Sequence, residues 1–539
     1  MDLIQDVLLL CLAVALIAAF ARRIPLPLPI LLTIGGWGLS FLPALSDVRI
    51  DPAVFFLLFI PPLLFADAWL IPKRDFLRVL TPVLALALGL VAVTVVVVGY
   101  VVHWMIPSIP LAAAFALGAI VSPTDAVAVS AITEKLQVPS RVTNIINGES
   151  LINDASGLVA FKFAIAALAT GTFSFVEMGK GFALLAVGGA LLGLAVAWVI
   201  SKLREWLSCA QLSEPMIQTT FSLLTPFAAY LAAEHLHLSG ILAVVAAGIY
   251  TGWHDASHLD SETRRTAWET WSMLLFLFNG LVFLLLGIQL HTVFSGLAGQ
   301  SWLLLSLYAG VVCAIVMSLR LAWVYLFAYL PLLWKMKWTE ALEVRSPANV
   351  FLVGWAGIRG SVTLAAALSI PLVSSGTTPF PGRDLIIFLA CAVIVVTLTL
   401  QGLTLPLVIR WCGISGDGMA EREERAARIE TARAAIARVR SALSDETPAL
   451  EQEVAARLIV EYETRVELLQ AGEGDGLSSD SERRNSINQR LEAERGLRLA
   501  AISAERTELI RLRNGRQLND ESLRVIQRDL DNLEAGVRS

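Results

Sequence analysis

The chain is 539 residues long, 56% apolar and only 16% charged, with a formal net charge of −5. A mean hydropathy of +0.68 is more apolar surface than a soluble core of this length hides, which excludes a water-soluble globular protein. A lipid bilayer is the expected partner, and no nucleic acid is.

A helical span needs about 20 apolar residues, and windows of that kind recur from Leu3 to about Trp411. In chain order the predicted spans are 3–20, 27–45, 52–70, 77–105, 111–132, 140–170, 178–202, 215–235, 239–252, 270–290, 302–333, 349–371 and 385–411, thirteen in all, of which the ninth is short. The expected fold is an all-α integral membrane protein, with a transmembrane domain over 1–412 and a helical, charged accessory domain over 413–539.

The first run starts at Met1-Asp2-Leu3, carries Asp6 and lacks a basic leader. It is therefore expected to be a retained span rather than a cleaved signal peptide. With the N-terminus outside, the inner loops hold Arg22, Arg23, Lys73, Arg74, Arg78, Lys135, Arg141, Lys202, Arg204, Arg264, Arg265, Lys335, Lys337 and Arg345. The outer loops hold Arg49, Lys180 and Arg383, and this bias fixes the expected orientation. An odd span count places the C-terminal tail in the cytoplasm, and the cell (inner) membrane is the expected location.

Cys11, Cys209, Cys313, Cys391 and Cys412 stand singly, with no metal spacing or disulfide framework. The tail alternates Arg and Glu with Ala and Leu at helical spacing, as in Glu421-Arg422-Glu423-Glu424-Arg425, and breaks at Gly472-Glu473-Gly474-Asp475-Gly476. Gly413, Gly416 and Gly418 do not fit a dinucleotide fingerprint, and no strand precedes them, so no cofactor is expected.

Ionisable residues inside spans cost a few kcal/mol each and mark function by default. Seven are of interest here: Asp67, Asp125, Glu149, Asp154, Lys162, Arg320 and Arg359. In Ser122-Pro123-Thr124-Asp125 of span five, Pro123 leaves the Ala119 carbonyl without its helical partner. A broken helix at mid-membrane exposes the oxygens that hard cations seek beside carboxylates. In span six, Ser150 and Asp154 share one helical face while Glu149 and Asn153 share the next. One face offers a hydroxyl and a carboxylate to an ion, and the other meets a structural partner.

So many acids require nearby cations, and Arg320 of span eleven and Arg359 of Gly357-Ile358-Arg359-Gly360 in span twelve are the candidates. The glycines around Arg359 suggest a second irregular helix. Spans one to six and eight to thirteen then form two inverted repeats in which span five corresponds to span twelve. Lys162 lies about 12 Å along the helix from Asp154, where snorkelling accounts for it. Asp67 sits near an inner span end, where it either caps the span or lines the approach to the site.

The stretches Ser122-Pro123-Thr124-Asp125-Ala126-Val127-Ala128-Val129 and Gly148-Glu149-Ser150-Leu151-Ile152-Asn153-Asp154-Ala155 resemble the sodium/proton antiporters of the first cation/proton antiporter family, the bacterial NhaP and animal NHE type. Gly357-Ile358-Arg359-Gly360 resembles that family's Gly-Leu-Arg-Gly segment, and the likeness covers about residues 1–411. The resemblance implies thirteen helices, crossed broken spans five and twelve, a dimerisation domain and elevator-like alternating access. It also implies that Asp154 is the ion and proton carboxylate, that Thr124 and Ser150 supply oxygens, that Asp125 shapes the site and that Arg320 pairs with Glu149. Asn153 stands where electrogenic relatives tend to carry a second aspartate, which implies electroneutral exchange. Ala126 departs from the proline of many relatives.

The expected function is therefore sodium/proton antiport that regulates internal pH and Na+, with Na+ and H+ as partners and a homodimer as the assembly. A potassium/proton antiporter or a cation channel of similar architecture is the alternative. An organic-anion carrier would need basic groups at the midplane, where acids dominate here. A channel would show a filter or charged rings. An enzyme has no nucleophile, metal set or cofactor motif to rest on.

Overall fold

The computed structural model describes residues 2–21, 23–24, 26–42, 52–170, 175–210, 212, 214–297, 299–333, 346–375, 378–414, 419–443, 449–470, 478–514 and 520–538. The chain divides into two compact units, Met1–Asp417 and Gly418–Ser539. Arg22, Arg49, Lys335, Lys337, Arg345, Gly416, Gly418 and the run 472–476 lie outside the described residues.

The first unit opens with α1 (Asp2–Ala21), α2 (Leu28–Leu39) and α3 (Pro52–Leu70), followed by α4 (Lys73–Arg78) and α5 (Leu80–Leu84). A π-helical turn, Ala85–Leu90, joins α5 to α6 (Val91–Met105). Next come α7 (Leu111–Ile120), α8 (Ala126–Lys135), α9 (Ser140–Thr170), α10 (Phe175–Cys209), α11 (Pro215–His235), α12 (Gly240–His258), α13 (Ser261–Gly296) and α14 (Trp302–Leu333). The unit closes with α15 (Pro347–Trp355), α16 (Ser361–Leu368), α17 (Arg383–Val396), a second π-helical turn, Thr397–Gln401, and α18 (Gly402–Trp411).

Six of these stretches are long and apolar enough to cross a membrane: Leu80–Met105, Ser140–Leu168, Leu184–Cys209, Ser261–His291, Trp302–Tyr329 and Arg383–Trp411. Shorter apolar helices accompany them at Val7–Ala21, Leu28–Leu39, Phe56–Leu70 and Leu111–Ile120. Helices dominate because in hydrocarbon each backbone polar group must be satisfied within its own segment. The one departure among the described residues is a two-stranded antiparallel ribbon between α16 and α17, β1 (Val373–Ser375) with β2 (Thr378–Pro379), which pairs Val373 with Pro379 and Ser375 with Thr378.

Local chemistry explains the helix starts. Ser239 caps α12 by accepting from Leu242 N at 3.3 Å, and Ser346 caps α15 by accepting from Asn349 N at 3.1 Å. Pro215 and Pro347 occupy first-turn positions where no amide hydrogen is needed. The run expected over 239–252 continues to His258, which brings Asp255 into the helix.

Two of the sequence-derived spans are not continuous helices. The run expected over 111–132 breaks between Ile120 and Ala126, and the run expected over 349–371 breaks between Trp355 and Ser361. Both breaks are buried, among the fully enclosed alanines and leucines of α7, α9, α16 and α17.

The second unit contains α19 (Met419–Ala442), α20 (Ala449–Gln470), α21 (Ser478–Asn514) and α22 (Asp520–Arg538). α19 packs on α20 through Ile429, Ala432 and Val466, and α21 packs on α22 through Ile502, Leu509, Leu523 and Leu530. These cores are small, and ion pairs such as Arg440 to Glu463, 2.7 Å, flank them.

In the first unit α2 and α13 approach so closely that glycine is required on both sides. A Cβ on Gly36 would strike the Leu284 carbonyl, and a Cβ on Gly287 would strike the Thr33 carbonyl and the Trp37 amide. Backbone cannot rotate away as a side chain can, so Gly36→Ala is expected to destabilise the protein by about 1–3 kcal/mol. Gly38→Ala meets nothing within 4 Å and is expected to be neutral or slightly stabilising through helix propensity. Thermal unfolding of the two variants in detergent checks the contrast, and equal melting temperatures would argue against the close approach.

Candidate functional site

The two breaks meet. Asp125 N donates to Ile358 O at 2.8 Å, joining the break before α8 to the break before α16. Thr363 Oγ1 lies 3.5 Å from Pro123 O, and Ser361 N, at the start of α16, donates to Asp125 Oδ2 at 3.4 Å. The Asp125 carboxylate thus faces the positive end of α16, which offsets part of its charge. Only glycine fits at position 360, because a Cβ there would occupy the place of the Asp125 carboxylate. The carbonyl that Pro123 frees at Ala119 is not left bare, since Ser122 Oγ donates to it at 2.9 Å.

Helix α9 lies alongside the first break and supplies its missing partners. Ser150 Oγ donates to Thr124 O at 2.6 Å and accepts from Ala126 N at 3.3 Å. Asn153 Nδ2 donates to Thr124 Oγ1 at 2.7 Å, and Asn153 Oδ1 accepts from Thr124 N at 3.4 Å. Ser150 and Asn153 therefore stand in for the helical hydrogen bonds that the break removes.

Asp154, 4% exposed, differs from its neighbours: its buried Oδ1 has no hydrogen-bond partner among the described residues. A buried acceptor left unpaired costs free energy, so this position favours a donor or a cation. Asp67, Asp125, Glu149 and Arg359 all act on it electrostatically.

Glu149 and Arg320 form a forked pair: Arg320 Nη1 and Nη2 reach Glu149 Oε1 and Oε2, the latter at 2.8 Å, and Nη2 also donates to Val353 O at 3.0 Å. Both side chains are about fully enclosed, at 2% and 1% exposure. Arg359 takes a different part. Its backbone N donates to Thr397 Oγ1 at 3.1 Å, its Nη1 donates to Gly357 O at 3.2 Å, and its Nε has no partner among the described residues.

A cavity of about 1610 Å³ opens onto this place, lined by Asp67, Thr124, Asp125, Ser150, Asp154 and Ser361 among others. The structure thus gathers Asp125, Asp154, Thr124, Ser150, Glu149, Asn153, Arg320 and Arg359 around the two breaks, and sets Asp67 in the same cavity wall. Lys162 stands apart, 2.5 Å from Glu234 in a half-exposed pair.

Two features were beyond sequence reasoning. The π-helical turn Thr397–Gln401 supplies the acceptor for Arg359 N. The turn Ala85–Leu90 offers Ala87 O to Ser156 at 2.6 Å and Ala85 O to Trp323 at 3.1 Å. A single inserted residue in a helix leaves no periodicity signal, although such turns favour functional places. The second feature is a buried pair, Arg204 with Asp255 at 2.9 Å, extended by Gln218 and Trp69. Both charges lie just past the predicted ends of their spans, at loop positions to a hydropathy window.

A helical membrane protein with paired helix breaks and an unsatisfied carboxylate between them has the architecture of an ion carrier. The model of the sodium/hydrogen exchanger transmembrane family matches residues 9–411, and the chain belongs to that family, whose members are transporters. It is 37% identical to the uncharacterized Na(+)/H(+) exchanger YjcE of Escherichia coli (strain K12), with 99% of each chain covered. It is 35% identical to the sodium, potassium, lithium and rubidium/H(+) antiporter of Bacillus subtilis (strain 168), covering 99% of this chain and 78% of that one. The fold is similar to that of the sodium proton antiporter MjNhaP1 from Methanocaldococcus jannaschii, at a TM-score of 0.57 and 20% identity, over 76% of this chain and 98% of the other.

Removing one partner of a buried ion pair strands the other, at about 3–5 kcal/mol. Arg320→Ala is expected to lower thermal stability on that scale, and adding Glu149→Gln is expected to recover part of the loss. A double-mutant cycle measured by thermal unfolding in detergent checks this, and strictly additive losses would contradict the pairing.

Proposed function

We propose that this protein exchanges sodium for protons across a membrane, with Asp154 as the carboxylate that carries either one. The single observation that supports this most is the buried Asp154 oxygen without a partner among the described residues, placed on a cavity wall with Thr124 and Ser150. Ser150 and Asn153 beside it on α9 are engaged by the broken helix, and Glu149 by Arg320.

Charge counting supports one exchangeable cation. At the two breaks the buried acids are Asp125, Glu149 and Asp154, and the buried bases are Arg320 and Arg359. Glu149 is neutralised by Arg320, and one guanidinium remains for two aspartates. Among the charges at the two breaks themselves, leaving aside Asp67 across the cavity wall, a single cation, Na+ or H+, balances the remainder in either half of the cycle. When Asp154 is ionised it accepts the metal ion, with Thr124 and Ser150 supplying neutral oxygens; when a proton occupies it, the ion leaves. Exposure of the site first to one face and then to the other couples the two gradients, with no channel open to both.

The same proposal includes thirteen spans in two inverted repeats, with the broken fifth and twelfth crossing at the Asp125–Ile358 hydrogen bond. It places the N-terminus outside and the second unit in the cytoplasm of the cell membrane, as an accessory domain rather than an enzyme. It takes the working form to be a homodimer. The Bacillus subtilis relative is named for sodium, potassium, lithium and rubidium, so potassium/proton exchange is the second reading. A site of neutral oxygens beside one carboxylate is compatible with both ions.

Two measurements test the proposal. Asp154→Asn keeps the shape and removes the titrating oxygen, so it is expected to abolish sodium-dependent proton movement in reconstituted vesicles while the protein stays folded; full exchange in that variant would sink the assignment. Exchange of one cation for one proton is expected to ignore the membrane potential. Each uncompensated charge would add about 2.3 kcal/mol per 100 mV, about fiftyfold in the sodium ratio. Vesicles held at different potentials with a potassium ionophore are therefore expected to reach the same sodium gradient for a given pH gradient, and a voltage-dependent end point would require a second proton carrier.

A further inference from the structure

Away from the broken helices, α10 and α12 bring together three metal-ligating side chains that the exchange chemistry does not use. Glu205 on α10 and His254 and His258 on α12 place one ligand atom each within 4.8 Å of one another. The two histidines are four residues apart on one helical face, and their rings stack at 4.0 Å. Glu205 Oε1 lies 2.9 Å from His254 Nε2.

Two further observations separate this group from a chance surface contact. The first is the orientation of the ligands. His258 Nδ1 lies 2.9 Å from the His254 carbonyl and 2.9 Å from Ser257 Oγ, and in the tautomer whose Nδ1 donates to that carbonyl Nε2 keeps its lone pair. Lys202 Nζ holds the other Glu205 oxygen, Oε2, at 2.7 Å, which leaves Oε1 directed at His254. A ring nitrogen tied to a carbonyl and a carboxylate held by its outer oxygen are the supports that orient ligands in metal sites. The second is the scaffold beneath. Arg204 and Asp255, the neighbours of Glu205 and His254 in sequence, form a buried pair at 2.9 Å, with Gln218 accepting from Arg204 Nε at 2.7 Å. That pair fixes the register of α10 against α12 and so brings Glu205 opposite His254.

We propose that Glu205, His254 and His258 form a binding site for a late first-row divalent cation of the zinc type, tying α10 to α12. Two imidazoles and one carboxylate are a common donor set for such ions. Ligand bonds of about 2.0–2.2 Å put tetrahedral donors about 3.3 Å apart, so small side-chain rotations close the group around an ion. His258 is exposed while His254 and Glu205 are partly buried, which gives the ion a path from solvent and leaves a fourth position for water.

Zinc alone, titrated calorimetrically into the full-length protein in detergent, tests the site. A Cys209→Ser background removes the exposed thiol at the end of α10. One ion per chain is expected, and His254→Ala, His258→Ala and Glu205→Gln are each expected to weaken binding about tenfold or more, with a smaller loss for Lys202→Met. Because His258 is exposed, its replacement leaves the packing intact, and melting temperatures without zinc check this. Zinc is expected to raise the melting temperature of the parent protein and not that of the His254→Ala/His258→Ala double variant. Undiminished affinity in the double variant, or no saturable binding in the parent, would overturn the proposal.

Discussion

The hydrogen bond from Asp125 N to Ile358 O is the constraint around which the membrane unit is organised. Interrupting a helix inside a bilayer leaves amides and carbonyls that no solvent can satisfy, at several kcal/mol each. Placing two interruptions face to face, with one donating to the other, removes part of that cost. The remainder falls to side chains, and this explains why the surrounding residues are small and polar. Ser122 covers the Ala119 carbonyl, Ser150 and Asn153 serve Thr124 and Ala126, and Thr397 serves Arg359.

That arrangement divides labour among acids that composition alone would treat alike. Asp125 is held by the amide end of α16, and Glu149 is held by the Arg320 fork. Asp154, one turn further along α9, lines the cavity with an oxygen that has no hydrogen-bond partner among the described residues. A carrier needs a group whose partner is exchangeable, and an acid already satisfied by protein would gain little from an ion. In the proposed exchange, the rigidity around Asp125 and Glu149 keeps those acids engaged and leaves Asp154 as the exchangeable one.

The helices at the periphery follow a different logic. α10 and α12 are joined by Arg204 and Asp255, both almost fully enclosed, and α2 meets α13 through paired glycines. Ion pairing and close backbone approach do the work that hydrophobic burial cannot do among lipid tails, which are as apolar as leucine. In the second unit, by contrast, short apolar stripes pair helices two by two and exposed ion pairs line the flanks.

The sequence by itself determined the class of the protein and which charged residues stand inside its apolar windows. Hydropathy windows find membrane helices because the cost of an exposed backbone in hydrocarbon is uniform, and a charge inside such a window is conspicuous for the same reason. Asp125, Glu149, Asp154, Arg320 and Arg359 were legible on that ground, and Pro123 with the glycines around Arg359 marked the two irregular helices. Tertiary structure decided which charges meet. The pairing of Arg320 with Glu149, which only the family resemblance implied, spans 171 positions, and no local pattern encodes it. Neither π-helical turn has a periodicity of its own, and Arg204 and Asp255 sit at span ends where a hydropathy window reads solvent. Which of several similar carboxylates is engaged by protein donors is likewise a property of three-dimensional hydrogen bonding, since it depends on every donor brought near from elsewhere in the chain.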